Sequence, residues 1–291
     1  MNLGRSLWGG IIVVLLTSCG APKVLTTSKT DAIGFEISGD FKQATTAWDQ
    51  YFTQVSVEET PGVDFAGAAK TAFKAGELAK AKGWFDQARY KNYADAGMYE
   101  TLAKIYEAEN NLSKELSALE MYTEKFGTTN TDVNARLFSV YSEIKENDKA
   151  LGLWAKMDAG SKSTEANLYN YFQVNKALEN NAVCDSVSLA ILELNPDNIA
   201  ALEWNARKYY WEGQNRYKRE MDKYNEKKTT KNYKILLNEL EVVTADFNKA
   251  LPYLNKLWEL NPGNEYAGYL ANIYALFGNE KKTNYYKNYR K

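Results

Sequence analysis

The chain has 291 residues, a formal net charge of −1 and no histidine. A near-neutral balance provides no global field that would favour nucleic acid or an acidic ligand. The missing imidazole removes histidine triads, histidine metal ligands and imidazole acid–base chemistry.

Arg5 precedes an apolar run from Leu7 to Leu16, interrupted only by Gly9 and Gly10. The run is too short for a comfortable membrane span and has the length of a signal-peptide core. It closes on Leu16-Thr17-Ser18-Cys19, which resembles the lipobox of bacterial lipoproteins. That resemblance implies that residues 1–18 are a cleaved signal peptide and that Cys19 is the lipidation site and anchors the mature chain to a membrane. Gly20, not Asp, follows the cysteine, which in that family implies delivery to the outer membrane. No acidic cluster follows, which favours the periplasmic face over the cell surface. The competing reading is an ordinary signal with an incidental cysteine, which would leave a reactive thiol in an oxidising compartment. Residues 19–29 carry Pro, Ser and Thr without apolar periodicity and read as a tether of roughly 30 Å if extended.

From residue 30 the pattern becomes helical and paired. Tyr99, Leu102, Ala103 and Tyr106 share one helix face; Asn110-Asn111 breaks the pattern; Leu112, Leu116, Leu119 and Tyr122 form a second face. Such a pair cannot bury both faces alone, and similar pairs recur at a spacing of about 34 residues. The first has Ala32 and Phe35, a turn at Gly39-Asp40, then Ala44 and Trp48. The second has Ala69 and Ala72, Gly76, then Ala81, Phe85 and Ala88. In the third, Glu115 occupies a position that should be small. The fourth has Leu137, Phe138 and Tyr141, then Ala150 and Trp154. The fifth has Tyr171, Phe172 and Asn175, then Cys184 as a small buried hydrophobe, and exits through Asn195-Pro196. The sixth opens with Leu202, Ala206 and Tyr209, and its second helix resumes late, at Ala250, Leu254 and Leu257. The last carries Leu270, Ala271 and Tyr274, then Gly278 and a polar capping helix.

These small and large positions resemble the tetratricopeptide repeat, with its W-x2-L-G-x2-Y and A-x3-F signatures. The resemblance implies an all-α, right-handed helical solenoid of about seven helix pairs over residues 30–291. In that family the first helix of each pair lines a groove. Carried onto this chain, the groove residues are Lys70 and Lys74; Glu100, Lys104 and Glu107; Ser139 and Glu143; Tyr169, Gln173 and Lys176; and Glu203, Arg207, Tyr210 and Trp211. The paired Asn and basic residues of carboxylate-clamping members are not matched, although Asn272 stands on the last such face.

Residues 207–245 are an insertion. The first helix of the sixth pair is expected to run on to about Lys228, turn at Thr229-Thr230 and return through Leu236, Leu237, Leu240 and Val243. The arms would project roughly 24 Å. Pro252 is expected to kink the returning helix or to mark a restart near Thr244–Asp246. Arg207 to Lys234 carries ten basic and four acidic side chains. One reading is a solvated hairpin with Tyr209, Tyr210, Trp211, Tyr217 and Tyr224 packed between its arms. The other is a docking arm whose Arg216, Lys218, Arg219, Lys223, Lys227 and Lys228 meet anionic lipid, cell-wall polymer or an acidic partner.

The sequence has no phosphate-binding glycine loop, no nucleophile elbow and no cysteine–histidine arrangement. No enzyme activity, cofactor or metal is expected. The expected function is a lipid-anchored scaffold that holds protein partners of a cell-envelope assembly, without nucleic acid. The alternative is a lipoprotein that captures glycan or peptide for an uptake system, with Trp204 and Trp211 as aromatic platforms.

Overall fold

A computed structural model describes the backbone of residues 21–289 and the side chains of residues 27–289. The signal segment 1–18 and Cys19 lie outside the described residues. All regular structure within them is helical. The chain divides into two compact units, one ending at Gly127 and one beginning at Thr128.

The first unit holds three helix pairs: α1 (Ala21–Ser38) with α2 (Phe41–Gln54), α3 (Gly62–Lys74) with α4 (Leu78–Tyr90), and α5 (Ala96–Ala108) with α6 (Leu112–Phe126). The second holds α7 (Thr131–Glu143) with α8 (Asn147–Lys156), a single turn α9 (Ala159–Lys162), and α10 (Glu165–Ala177) with α11 (Asn181–Leu194). It continues with α12 (Ile199–Glu226) and α13 (Thr230–Leu260), then α14 (Asn264–Leu276) and α15 (Glu280–Tyr289). Seven pairs of tetratricopeptide type are thus present, and the sixth is the long one. Within each unit a pair packs on the next, as α3 does on α5 and α7 on α10.

One local device makes six of the pairs. The residue after the first helix takes a left-handed φ at Gly39, Gly76, Asn110, Lys145, Glu179 and Gly278. The next amide then reaches back five residues, from Asp40 to the Phe35 carbonyl (2.9 Å) and from Glu77 to that of Ala72 (2.8 Å). The same bond recurs at Asn111, Glu146, Asn180 and Asn279. This is the Schellman stop, which satisfies carbonyls that the helix end would otherwise orphan. Several helix starts are closed as well: the Asp95 carboxylate accepts the Met98 amide at 2.7 Å, and Asn111, Asn130, Asn198 and Thr229 act likewise. Each such cap contributes about 1 kcal/mol.

The small positions let helices approach and the large ones fill what remains. In the first unit, Phe52 stacks on Phe65 (centroids 4.5 Å) and meets Trp48 and Trp84 edge or face. In the second, Phe138 is buried against Trp154, whose other neighbour is Tyr171, stacked 4.1 Å away. Phe138 therefore serves as core at the position where a small residue was expected. Glu115 is buried at its slot, so the register of the third pair is kept. Cys184 is also buried, with its thiol 3.8 Å from the Phe172 carbonyl, and burial followed by the nearby Asp185 charge raises its pKa.

Three expectations need correction. Residues 21–29, read as an extended tether, are the first half of α1. Pro22 lies in the first turn, where a missing N–H is tolerated, and Lys29 pairs with buried Asp64 at 2.6 Å. The returning helix α13 runs unbroken from Thr230 to Leu260, with Pro252 inside it and no restart near Thr244–Asp246. Proline withholds one donor from the carbonyl of Asn248, and Asn248 lies on the exposed side, within reach of water. Finally, α12 stops at Glu226, two residues before the expected Lys228.

Candidate functional site

The main concavity follows from the unequal length of neighbouring helices. The first helix of the fifth pair, α10, has 13 residues, whereas α12 has 28. A helix of ordinary length begun at Ile199 would end at Trp211. From there α12 continues past the α10–α11 turn, where no helix of the preceding pair is long enough to accompany it. The step between them is a cleft of about 460 Å³.

Trp204 and Trp211 stand seven residues apart on α12, so both face the cleft. Trp204 is held in place. Its indole N–H donates to Asp185 Oδ1 on α11 (2.9 Å), and its ring meets Phe172 edge-on at 5.6 Å. Trp211 is 48% exposed and touches Tyr210 by an edge. An immobilised ring and a free one therefore border the same space.

The rim is charged but balanced. Lys176, Arg207 and Lys208 face Asp185, Glu203 and Glu212. Lys208 Nζ donates to Asp185 Oδ2 at 2.6 Å. Partial burial opposes the Lys208 charge, but the bond to Asp185 outweighs it and the pKa is raised. Arg207 pairs with Glu265 of α14 at 2.9 Å, and the Tyr266 hydroxyl donates to Glu203 at 2.5 Å. Burial, then that bond to Glu203, pushes the Tyr266 phenol well above its ordinary value. Among the described residues, Lys176 and Glu212 have no ion-pair partner, and Lys176 sits 6.0 Å from the Phe172 ring centroid. The cleft thus offers an aromatic floor with one free cation and one free anion on its rim.

Of the residues expected to line a groove, Lys176, Glu203, Arg207 and Trp211 come together here. Tyr169 and Gln173 are on α10 but do not line the cleft. Tyr210 is corrected: it is buried, its hydroxyl accepts from Asn272 (2.7 Å), and burial raises its pKa. Asn272 also donates to Gln214 at 3.0 Å, so it braces the fold. In the first unit, Lys70 pairs with Asp95 (2.7 Å), Lys74 lies over Phe41 (4.9 Å), and Lys104 pairs with Glu100 (2.7 Å). Asp185, Asn181, Lys208 and Glu212 were missed. Lys208 lies between the two tryptophans at helical spacing, which was a usable signal. Asp185 carried none, because it reaches the site from a different helix.

The hairpin follows the packed reading for most of its aromatics. Tyr209 stacks on Tyr253, Tyr210 meets Phe247 and Tyr224 meets Tyr233. Trp211 does not pack between the arms. Gly213 permits the close crossing, because a Cβ there would lie 3.1 Å from the Phe247 ring. Three of the basic residues are used internally. Arg216 bonds Asp246 (3.2 Å), while Arg219 and Lys223 both reach the buried Glu220 carboxylate (2.8 and 2.9 Å). Lys218, Lys227 and Lys228 are exposed and form no ion pair. Among the described residues, no helix is long and apolar enough to cross a membrane, and no group of three or more acidic or thiol side chains could hold a metal ion.

No protein-family model matches the chain, and neither does any curated protein. Solved structures do. The chain is similar to YrrB, a TPR protein described as having an unusual peptide-binding site, with TM-score 0.52 and 15% identity over 62% of this chain and 92% of that one. It is similar to the C-terminal part of a TPR repeat-containing protein from Cytophaga hutchinsonii (0.50; 15%; 88% and 92%). It is also similar to a protein from Bacteroides ovatus (0.50; 18%; 77% and 98%). At these identities the likeness establishes the fold, which is the tetratricopeptide-type helical repeat.

Proposed function

We propose that this chain is an interaction scaffold, and that the cleft at the base of the hairpin holds an extended segment of a protein partner. One observation carries the reading. Trp211 presents an exposed ring beside a braced Trp204, in a concavity whose charges are otherwise spent on one another. Exposed aromatic anchors in pockets are the usual energetic centre of a protein contact. The balanced rim suits a peptide with a bulky apolar side chain between polar neighbours better than it suits a strongly charged ligand. The peptide-binding site described for YrrB supports such a use of the fold. The alternative, glycan capture on Trp211, rests on the same ring and is separated by the same experiment.

The setting is part of the proposal. Acylation at Cys19 would tether the scaffold to the outer membrane, at the periplasmic face, within a cell-envelope assembly. This rests on the Leu16–Cys19 pattern alone, and Cys19→Ala should release the chain from membranes; persistence in the membrane fraction would refute it. A photo-crosslinking residue placed at position 211 in the native envelope tests the cleft. Attachment of a defined protein segment, abolished when Trp204 is also changed to Ala, is expected. Crosslinks to saccharide alone, or none, would overturn the scaffold reading.

A further inference from the structure

Beyond the cleft, α12 and α13 run on as a bare two-helix arm. The helices that neighbour them elsewhere, α11 and α14, belong to the stack. Inside the arm, Leu236 and Val243 are buried, as is the Glu220 carboxylate. On one flank of α13, Ile235 and Val242 stand seven residues apart on the same helix face, yet are 48% and 40% exposed. Ile235 and Leu236 border a shallow groove of about 130 Å³, whose other wall is Lys223, Tyr224 and Asn232. Two helices with such an apolar edge form an incomplete bundle, and a third helix would complete it.

Charge selects the occupant. Residues 216–242 carry eight basic and five acidic side chains, while the whole chain is at −1. Arg216, Arg219 and Lys223 are matched internally. Lys218, Lys227, Lys228, Lys231 and Lys234 are exposed and form no ion pair. Lys231 lies one turn before Ile235 on the same side of α13, beside the groove.

We propose that this flank is a second docking surface, completed by an acidic amphipathic helix of a partner protein. Its apolar residues would follow the Ile235–Val242 spacing, with carboxylates facing Lys227, Lys228 and Lys231. A second copy of this chain is disfavoured, because two arms of net positive charge repel. A bilayer is disfavoured as well. The exposed Tyr233 and Leu237 lie on the opposite flank, and Lys234, Asn238 and Glu241 separate the two, so no single apolar face can sink into lipid.

The test uses the full soluble chain, without the signal segment. Its probes are a synthetic amphipathic helix with leucines at heptad spacing and flanking glutamates, the same peptide with lysines for glutamates, and phosphatidylglycerol vesicles. The acidic peptide should bind, with affinity falling as salt rises. Ile235→Ser with Val242→Ser should weaken it at least tenfold, as should Lys227→Glu with Lys231→Glu. Trp211→Ala, in the separate cleft, should leave it unchanged. All four arm positions are exposed, and an unaltered melting curve will show that the variants fold. Failure of the acidic peptide to bind, equal binding of the basic peptide, indifference to both arm variants, or binding to vesicles instead would each overturn the proposal.

Discussion

Asp185→Ala probes how the cleft is built. One carboxylate holds both the Trp204 indole (2.9 Å) and the Lys208 ammonium (2.6 Å). A hydrogen bond to a charged group contributes about 1.5–3 kcal/mol, and the lower end applies here because Trp204 is only half buried. The Lys208 pair, with each partner about a third exposed, adds about 0.5 kcal/mol. The variant should therefore lose roughly 2 kcal/mol, read as a lower urea midpoint with unchanged slope. Asp185→Asn keeps an acceptor for the indole and should recover about half of that. Tryptophan fluorescence should report greater ring mobility in the alanine variant only, and partner affinity should drop several-fold through lost preorganisation. If the alanine and asparagine variants behave alike, or if neither changes stability, Asp185 does not brace Trp204 and the description of the cleft is wrong.

Three other outcomes follow from the packing. Lys145 and Glu179 hold left-handed turns at φ 62° and 58°. That conformation costs an ordinary residue about 1–2 kcal/mol, partly offset by the greater unfolded-state entropy of glycine. Lys145→Gly and Glu179→Gly should each stabilise by about 0.5–1 kcal/mol in urea unfolding, whereas Gly76→Ala should destabilise by a similar amount. Gly213→Ala would press a methyl onto the Phe247 ring and should cost about 1–2 kcal/mol, recovered in part by Phe247→Leu. Bonds from Lys223 and then Arg219 lower the Glu220 pKa; at Asp95, burial acts upward but bonds led by Lys70 prevail and the pKa is again lowered. Carboxylates depressed in this way contribute stability above the ordinary carboxylate range and lose it as pH falls through their lowered pKa. Thermal stability should thus decline below about pH 4, and Glu220→Gln should flatten that decline; an unaltered acid limb would contradict it.

The repeat was legible because three independent signals agree. Apolar positions recur at helical spacing, small residues recur where helices cross, and turn residues such as Gly39, Gly76 and Gly278 fall between them. The turns at Lys145 and Glu179 show how a fold overrides local preference: neither residue favours φ above zero, yet both flanking helices require it. Residues 21–29 misled because serine and threonine are common in both linkers and helix starts. Pro252 misled because a long helix packed on two sides tolerates one missing donor. Of the site, the α12 stripe was readable and its partner Asp185 was not. The cleft is a difference in length between adjacent pairs, visible only when α10 and α12 lie side by side. Tyr210 was placed on the wrong side of α12 because the neighbouring Trp211 alone is exposed.

Hydrogen exchange on the chain with its captured partner tests the central claim most directly. Added protection should fall on residues 176–185 and 200–212, the two walls of the cleft, and Trp211→Ala should abolish it. A footprint confined to residues 30–127, or protection that survives loss of Trp211, would contradict the account.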